Sequence, residues 1–170
     1  MKGILKIGIL MLSLLMLSTT EGIAQKFGHL NSGLLLSMMP ESKTAESELQ
    51  AYRQQQEKIL QDKVTAFQAK IADLQERFPT LPPAQAKTEQ EKLAAEEQEL
   101  YAARAKGEED VVKKREALLK PIYEKADVAV QAVGKENGFT MIFDSGAFNV
   151  VLFAEDATDV LPMVKAKLGL

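Results

Sequence analysis

The chain has no cysteine and no tryptophan, and a single histidine, His29, in 170 residues. Without cysteine there can be no disulfide framework, no thiolate metal cluster and no cysteine nucleophile. A lipid anchor on an N-terminal cysteine is excluded for the same reason. His29 has no carboxylate at ligand or triad spacing beside it, so a place in a packed strand accounts for it better than metal or general-base chemistry. Aromatic residues make up only 6%, too little large apolar surface for a thick globular core. That scarcity favours long helices packed along narrow seams. No phosphate-binding loop, paired nucleophile and base, or metal-ligand set occurs, so the sequence reads as that of a protein other than an enzyme, with no cofactor.

Long apolar runs are absent except at the start. In MKGILKIGILMLSLLMLSTTEGIA, Lys2 and Lys6 precede an apolar run over 7–17, and Gly22, Ile23 and Ala24 supply small residues near a cleavage point. This is the pattern of a secretory signal over 1–24, with the mature chain starting at Gln25. The run is short of the ~20 residues that span a bilayer, so no stable membrane anchor is expected after cleavage. Residues 1–24 hold two lysines and one glutamate; the remainder carries 19 basic and 23 acidic residues, a net charge of −4. Nucleic acid is a poor partner for such a surface. An exported chain without disulfides fits the bacterial periplasm, and its stability must come from packing or oligomerisation.

Helix breakers are also rare, and their placement is informative. Between 41 and 120 the only glycine is Gly107 and the only prolines are Pro79, Pro82 and Pro83, in RFPTLPPAQ. Proline removes a donor, clashes with the preceding turn and pushes the residue before it out of the helical region. Residues 41–77 and 84–120 are therefore two helical arms of equal length, rich in strong helix formers, that meet at a tip over 78–83. In the first arm Leu60, Val64, Phe67, Ile71 and Leu74 recur at spacings of four and three, a coiled-coil seam. In the second, Leu93, Leu100, Val111 and Leu118 form a thinner stripe, joined by Glu97, Arg104 and Gly107. Beyond Pro121, where a kink is expected, apolar residues continue at helical spacing until Gly134 and the pair Asn137 and Gly138.

The period then changes. Phe139, Met141 and Phe143 alternate over 139–143, and 149–153 (NVVLF, with Val151 and Phe153) is a second β-rich run after the turn-like Asp144, Ser145 and Gly146, so a strand hairpin is expected. A third strand, with Phe27, His29 and Leu30, is expected over 26–31. The last segment reads as a helix capped by Thr158, with Asp159 in its first turn and Gly169 after its end. The fold class is thus α+β and mostly helical: 25–40 and 121–170 form a small head, and 41–120 is a hairpin projecting from it. Three short strands leave two open edges, so copies from other chains are expected to complete the sheet.

Several features have plain structural readings. The cluster Glu108, Glu109 and Asp110 lacks the loop and glycine of a calcium site and reads as a solvated helix face. Met38 and Met39 read as packing residues at the hairpin base. Phe78 and Leu81, nearest the tip, are candidates for contact with a partner, while Phe67 fits the seam better.

The stretches FGHLNSGLLLSMMPE, GFTMIFDSGAFNVVLFA and DATDVLPMVKAKLGL, with a charged hairpin between the first two, resemble the Skp/OmpH family of periplasmic chaperones for outer-membrane proteins. The resemblance covers 25–170 and rests on the order and spacing of apolar patterns. It implies a homotrimer whose strands form a shared barrel and whose hairpins surround a cavity, holding unfolded outer-membrane β-barrel proteins without ATP. The best-known members are strongly basic, whereas this chain is acidic, which weakens any role for a positive surface in gripping anionic lipid or lipopolysaccharide. A structural coiled-coil spacer or adaptor of the cell envelope is the alternative reading.

Overall fold

A computed structural model describes residues 25–147, 150–153 and 157–170; the expected signal segment and Asn149 lie outside them. The elements in chain order are β1 (Phe27–Leu30), α1 (Ser32–Met38), α2 (Pro40–Arg77), a 3-10 turn (Phe78–Thr80), α3 (Pro83–Glu136), β2 (Met141–Asp144), β3 (Thr158–Asp159) and α4 (Leu161–Leu168). Helices α2 and α3 pack as an antiparallel hairpin, and the three strands form one small sheet.

The helix ends follow from local chemistry. Asn31 caps α1, its side-chain oxygen accepting from the Leu34 amide at 2.8 Å. Pro40 and Pro83 occupy the first turns of α2 and α3, where an amide donor has no intrahelical partner to lose. The 38 residues of α2 extend about 57 Å at 1.5 Å per residue. Helix α3 runs unbroken through Pro121 for 54 residues. Just beyond that proline, Ile122, Ala126, Ala129 and Val133 are all buried, so packing holds the helix where the missing amide weakens it. The chain then reverses at Gly138, whose φ of 67° is left-handed and suits a residue without Cβ.

Sheet topology departs from the expected strand hairpin. The order is β2-β1-β3, and both pairings are parallel, with Phe27 opposite Met141 and His29 opposite both Phe143 and Asp159. Helix α3 carries the chain past the far end of the sheet, so β2 returns in the direction of β1; such parallel strands need a long connection, here the entire helical hairpin. Residues 150–153 are not a strand, so Val151 and Phe153 stand outside the sheet. After β2 the Ser145 amide donates to the Leu30 carbonyl at 2.8 Å, which pins the loop to the end of β1 instead of reversing it along β2. Phe139 also lies outside a strand, immediately before β2. Thr158 belongs to β3 rather than capping a helix, and α4 begins at Leu161, whose amide donates to the Asp159 carboxylate at 2.9 Å. Gly169 closes α4 in the left-handed conformation, φ 74°.

The core sits at one end. Leu30, Leu35, Met39, Ala45, Val160 and Val164 pack with the buried stretch of α3, and Val160 and Val164 have no exposed surface. Gly28 must be small: a Cβ there would lie 2.8 Å from Val160 Cγ1 and 3.2 Å from the Phe139 ring. Gly28→Ala is expected to destabilise the head by roughly 1–3 kcal/mol through overpacking, whereas Gly33→Ala, with only Asn31 Oδ1 at 3.4 Å, should be near neutral. Chemical denaturation of both variants checks this.

Candidate functional site

Two surfaces offer themselves, the inner seam of the hairpin and the open side of the head. Between Ala45 and Leu74 on α2, and between Ala86 and Ile122 on α3, no residue is buried. Leu60, Val64, Phe67 and Ile71 are half-buried and Leu74 is buried; across from them Leu93, Leu100, Val111 and Leu118 are half-buried. Of the expected seam positions, Gly107 is half-buried on the stripe, whereas Glu97 and Arg104 are exposed and Glu96 and Ala103 take their places. The half-buried residues 89, 93, 96, 100, 103 and 107 alternate steps of four and three, which keeps the stripe on the facing side. Glu97 and Arg104 fall one position off it.

Ion pairs hold the arms in register. Lys70 meets Glu96 at 2.7 Å, Lys114 meets Glu48 at 3.4 Å, and Lys125 meets Glu41, each pair straddling the proline turn almost symmetrically. All lie at the solvent-accessible flanks of the hairpin, so they serve alignment more than stability. The Lys125 ammonium, bonded to Glu41, holds that carboxyl below the usual range. Within α3, Glu108, Glu109 and Asp110 pair with Arg104, Lys113 and Lys106 at 3.2, 2.5 and 3.5 Å, one helical turn away. Among the described residues no group of three or more His, Cys, Asp or Glu could hold a metal ion.

At the tip, Pro79 lies in the 3-10 turn, Pro82 is the N-cap of α3, and Pro83 is its first residue. Phe78 is exposed there and Leu81 half-buried.

Three cavities lie along the hairpin and its base. One of about 480 Å³ opens at Gly107, between Arg53, Leu60, Ala103 and Val111. A second, of about 600 Å³, is bounded by Leu36, Leu49, Arg53, Arg115, Leu118 and Tyr123. The third, of about 490 Å³, reaches the head between Leu36, Tyr123, Val130, Ile142 and Phe143. Arg53 is common to the first two, and Leu36 and Tyr123 to the last two. The three therefore lie in a row along the hairpin, adjacent ones sharing wall residues, and together they make up a trough interrupted by those shared side chains. At Gly107 a Cβ would stand 3.6 Å from Gln56 Oε1 on the other arm, an ordinary contact that a methyl group could make.

On the head, Met141 and Phe143 of β2 are exposed, and Phe143 stacks at a tilt on Phe27 with ring centroids 6.3 Å apart. Phe27 and His29 are half-buried and Leu30 is buried. Phe139 is half-buried, with the Lys26 ammonium 4.2 Å from its ring centroid, within cation–π range. Leu152 and Phe153, 84% and 81% exposed, are the most exposed large apolar residues described, and Val151 beside them is half-buried. The outer edges of β2 and β3 have no strand partner within the described residues.

The sequence reading treated Asp144 as a turn residue and missed its latch. Its carboxylate accepts from the Ser32 amide at 3.1 Å, the Ser32 hydroxyl at 2.5 Å and the Gly146 amide at 2.8 Å. It thereby ties the end of β2 to the first residue of α1 over 112 residues of chain. Partial burial pushes this carboxyl up, but the three bonds outweigh it and its pKa is lowered. A depressed folded pKa means that the latch stabilises fully above the ordinary aspartate range and is lost as pH falls through the folded value. Asp144→Asn should therefore lower stability at neutral pH and flatten the acid limb of the stability–pH curve, measured by thermal melts between about pH 2 and 7. Gly107→Ala should add roughly 0.5–1 kcal/mol of helix stability, read by denaturant titration; a loss would show that the gap cannot admit a methyl group.

No helix among the described residues is long and apolar enough to cross a membrane. The family model "Outer membrane protein (OmpH-like)" matches residues 26–168. Among curated proteins none matches the sequence significantly. Of six matching solved chains, one is from Caulobacter crescentus CB15, described as a proposed outer membrane chaperone (OmpH-like). It superposes with a TM-score of 0.69 at 19% identity, over 89% of this chain and 88% of that one. At that identity the likeness concerns the fold.

Proposed function

The chain belongs to the OmpH-like family of outer membrane chaperones, and from that premise we propose that it is an ATP-independent periplasmic holdase for unfolded outer-membrane β-barrel proteins. It acts as a homotrimer, with hairpins enclosing a shared cavity. The observation that supports this reading most is the long open seam: each arm presents half-buried apolar residues among charges and buries none of them between Ala45 and Leu74 or between Ala86 and Ile122. A partner can therefore gain contacts at low cost in disrupted packing. Many weak contacts within an enclosure supply affinity through effective concentration, and no single site needs to be tight. Phe78 and Leu81 extend the client-contacting surface to the tip.

Assembly follows from the head. Phe27, Met141 and Phe143 share one face of the sheet, whose outer edges are unpaired among the described residues, and 150–153 adds the exposed Leu152 and Phe153, while Phe139 packs against the core beneath. Open edges of this kind are normally covered. In the trimer, Val151 and Phe153 of one copy cover the β2 edge of the next, which gives 150–153 the strand pairing that it lacks in a single chain. His29 and Leu30 brace the central strand of this interface. The seam residues from Leu60 to Leu118 keep each hairpin straight enough to enclose a cavity, and Pro79, Pro82 and Pro83 hold the arms apart at its mouth. Residues 1–24 direct export and are removed.

The deciding assay dilutes several urea-unfolded β-barrel proteins into buffer without nucleotide and follows light scattering. The mature protein should suppress aggregation of all of them and sediment as a trimer. Leu152→Asp/Phe153→Asp should weaken assembly by about a hundredfold or more, given the loss of the two most exposed large apolar side chains among the described residues, and suppression should fall with it. Indifference to unfolded proteins, with binding to one native partner, would instead identify an envelope spacer.

A further inference from the structure

The four arginines of the chain have two kinds of surroundings. Arg77 and Arg104 are engaged by Asp73 and Glu108, one turn away on their own helices. Arg53 and Arg115 have no carboxylate within ion-pair distance among the described residues, yet both line the 600 Å³ cavity at the hairpin base, one from each arm. Its other walls are largely apolar, with Leu49, Leu118 and Tyr123 prominent. One carboxylate, Glu46, also lines it, which leaves the lining net positive in a chain of net charge −3. Guanidinium groups present a rigid fork of donors matched to a carboxylate, and they are less strongly hydrated than ammonium, so they suit an apolar setting.

The trough also has length. From Tyr123 to Gly107 along α3 is about 24 Å at the helical rise, room for roughly seven residues of extended chain. A compact solute would leave most of that length empty.

We propose that the hairpin base docks an extended client segment in which an acidic side chain is flanked by large apolar residues. Arg53 and Arg115 take the carboxylate, while Leu49, Leu118 and Tyr123 take its apolar neighbours. The cavity that Gly107 helps to line receives the continuing chain. This inference rests on the holdase reading and adds a local sequence preference to it. It does so without a basic surface, because two short-range contacts per chain replace long-range attraction.

The test uses the mature protein in its own assembly and a fluorescein-labelled peptide of about nine residues, spanning the trough, with a glutamate between two phenylalanines. A second probe differs only by glutamine at that position. Fluorescence anisotropy should show the glutamate probe binding about tenfold more tightly, the size of a charge-assisted hydrogen bond. R53Q/R115Q should abolish the preference with helicity by circular dichroism unchanged, and Lys58→Gln, an exposed cation away from the cavity lining, should leave it intact. Equal affinity for the two probes, or equal loss in the Lys58 variant, overturns the proposal. So does a double variant that keeps the preference but no longer binds phosphatidylglycerol vesicles, since the arginines would then serve a lipid surface. If aggregation is still suppressed when the probes bind equally, the cavity assignment fails and the holdase reading stands; if nothing is suppressed, the reading beneath it has failed.

Discussion

Two helices that touch only each other can each cover one narrow stripe, and that geometric limit shapes this molecule. Along most of the hairpin the best-placed side chains are merely half-buried, so the arms contribute little of the apolar burial that stabilises a fold. Burial is concentrated where a third and fourth element arrive. Helices α1 and α4 and the sheet close over the base of the hairpin, bringing Leu35, Met39, Val160 and Val164 to under 2% exposure. The molecule is thus a firm end carrying a soft extension, and both properties arise from how many neighbours each helix has.

The hairpin was legible because its signals are local. Proline acts on its own turn and heptad spacing acts within one helix, so the tip and the seam of α2 could be read directly. The thinner stripe of α3 was harder. With few large residues to mark it, Glu97 and Arg104 fit the spacing nearly as well as Glu96 and Ala103, and only the facing arm decides between them. In the head, the strand periodicity of 139–143 marked a real element, but Phe139 lies just outside it. Alternation says nothing about which neighbour a strand chooses. The parallel arrangement depends on α3 overshooting the sheet, and β3, two residues long, is too short to leave a pattern. Residues 150–153 have strong β propensity without strand structure, as expected where propensity waits on a partner. The Asp144 latch was invisible for a similar reason, since its partner Ser32 is 112 positions away.

Charge plays a different part from burial. The cross-arm pairs lie on exposed flanks and set register, while the pairs of 104–113 stay within one helix. Neither kind needs a dry environment, so the hairpin keeps its alignment in water with an open seam. Against that background, two arginines left over in an apolar recess are conspicuous by the economy of the rest.

The central position of β1 has a consequence for how the polypeptide matures. Phe27 pairs with Met141, and Gly28 with Thr158, so the first strand synthesised has nothing to pair with until nearly the whole chain exists. The hairpin can form early from local contacts, but the sheet must wait for loop closure across its full length, a slow class of event. Until Val160 and Val164 arrive, Leu30 and Leu35 stand uncovered. During that interval the nascent protein presents the same unsatisfied strands and bare apolar side chains as any other unfinished polypeptide, and its own completion is a race against the aggregation of immature chains.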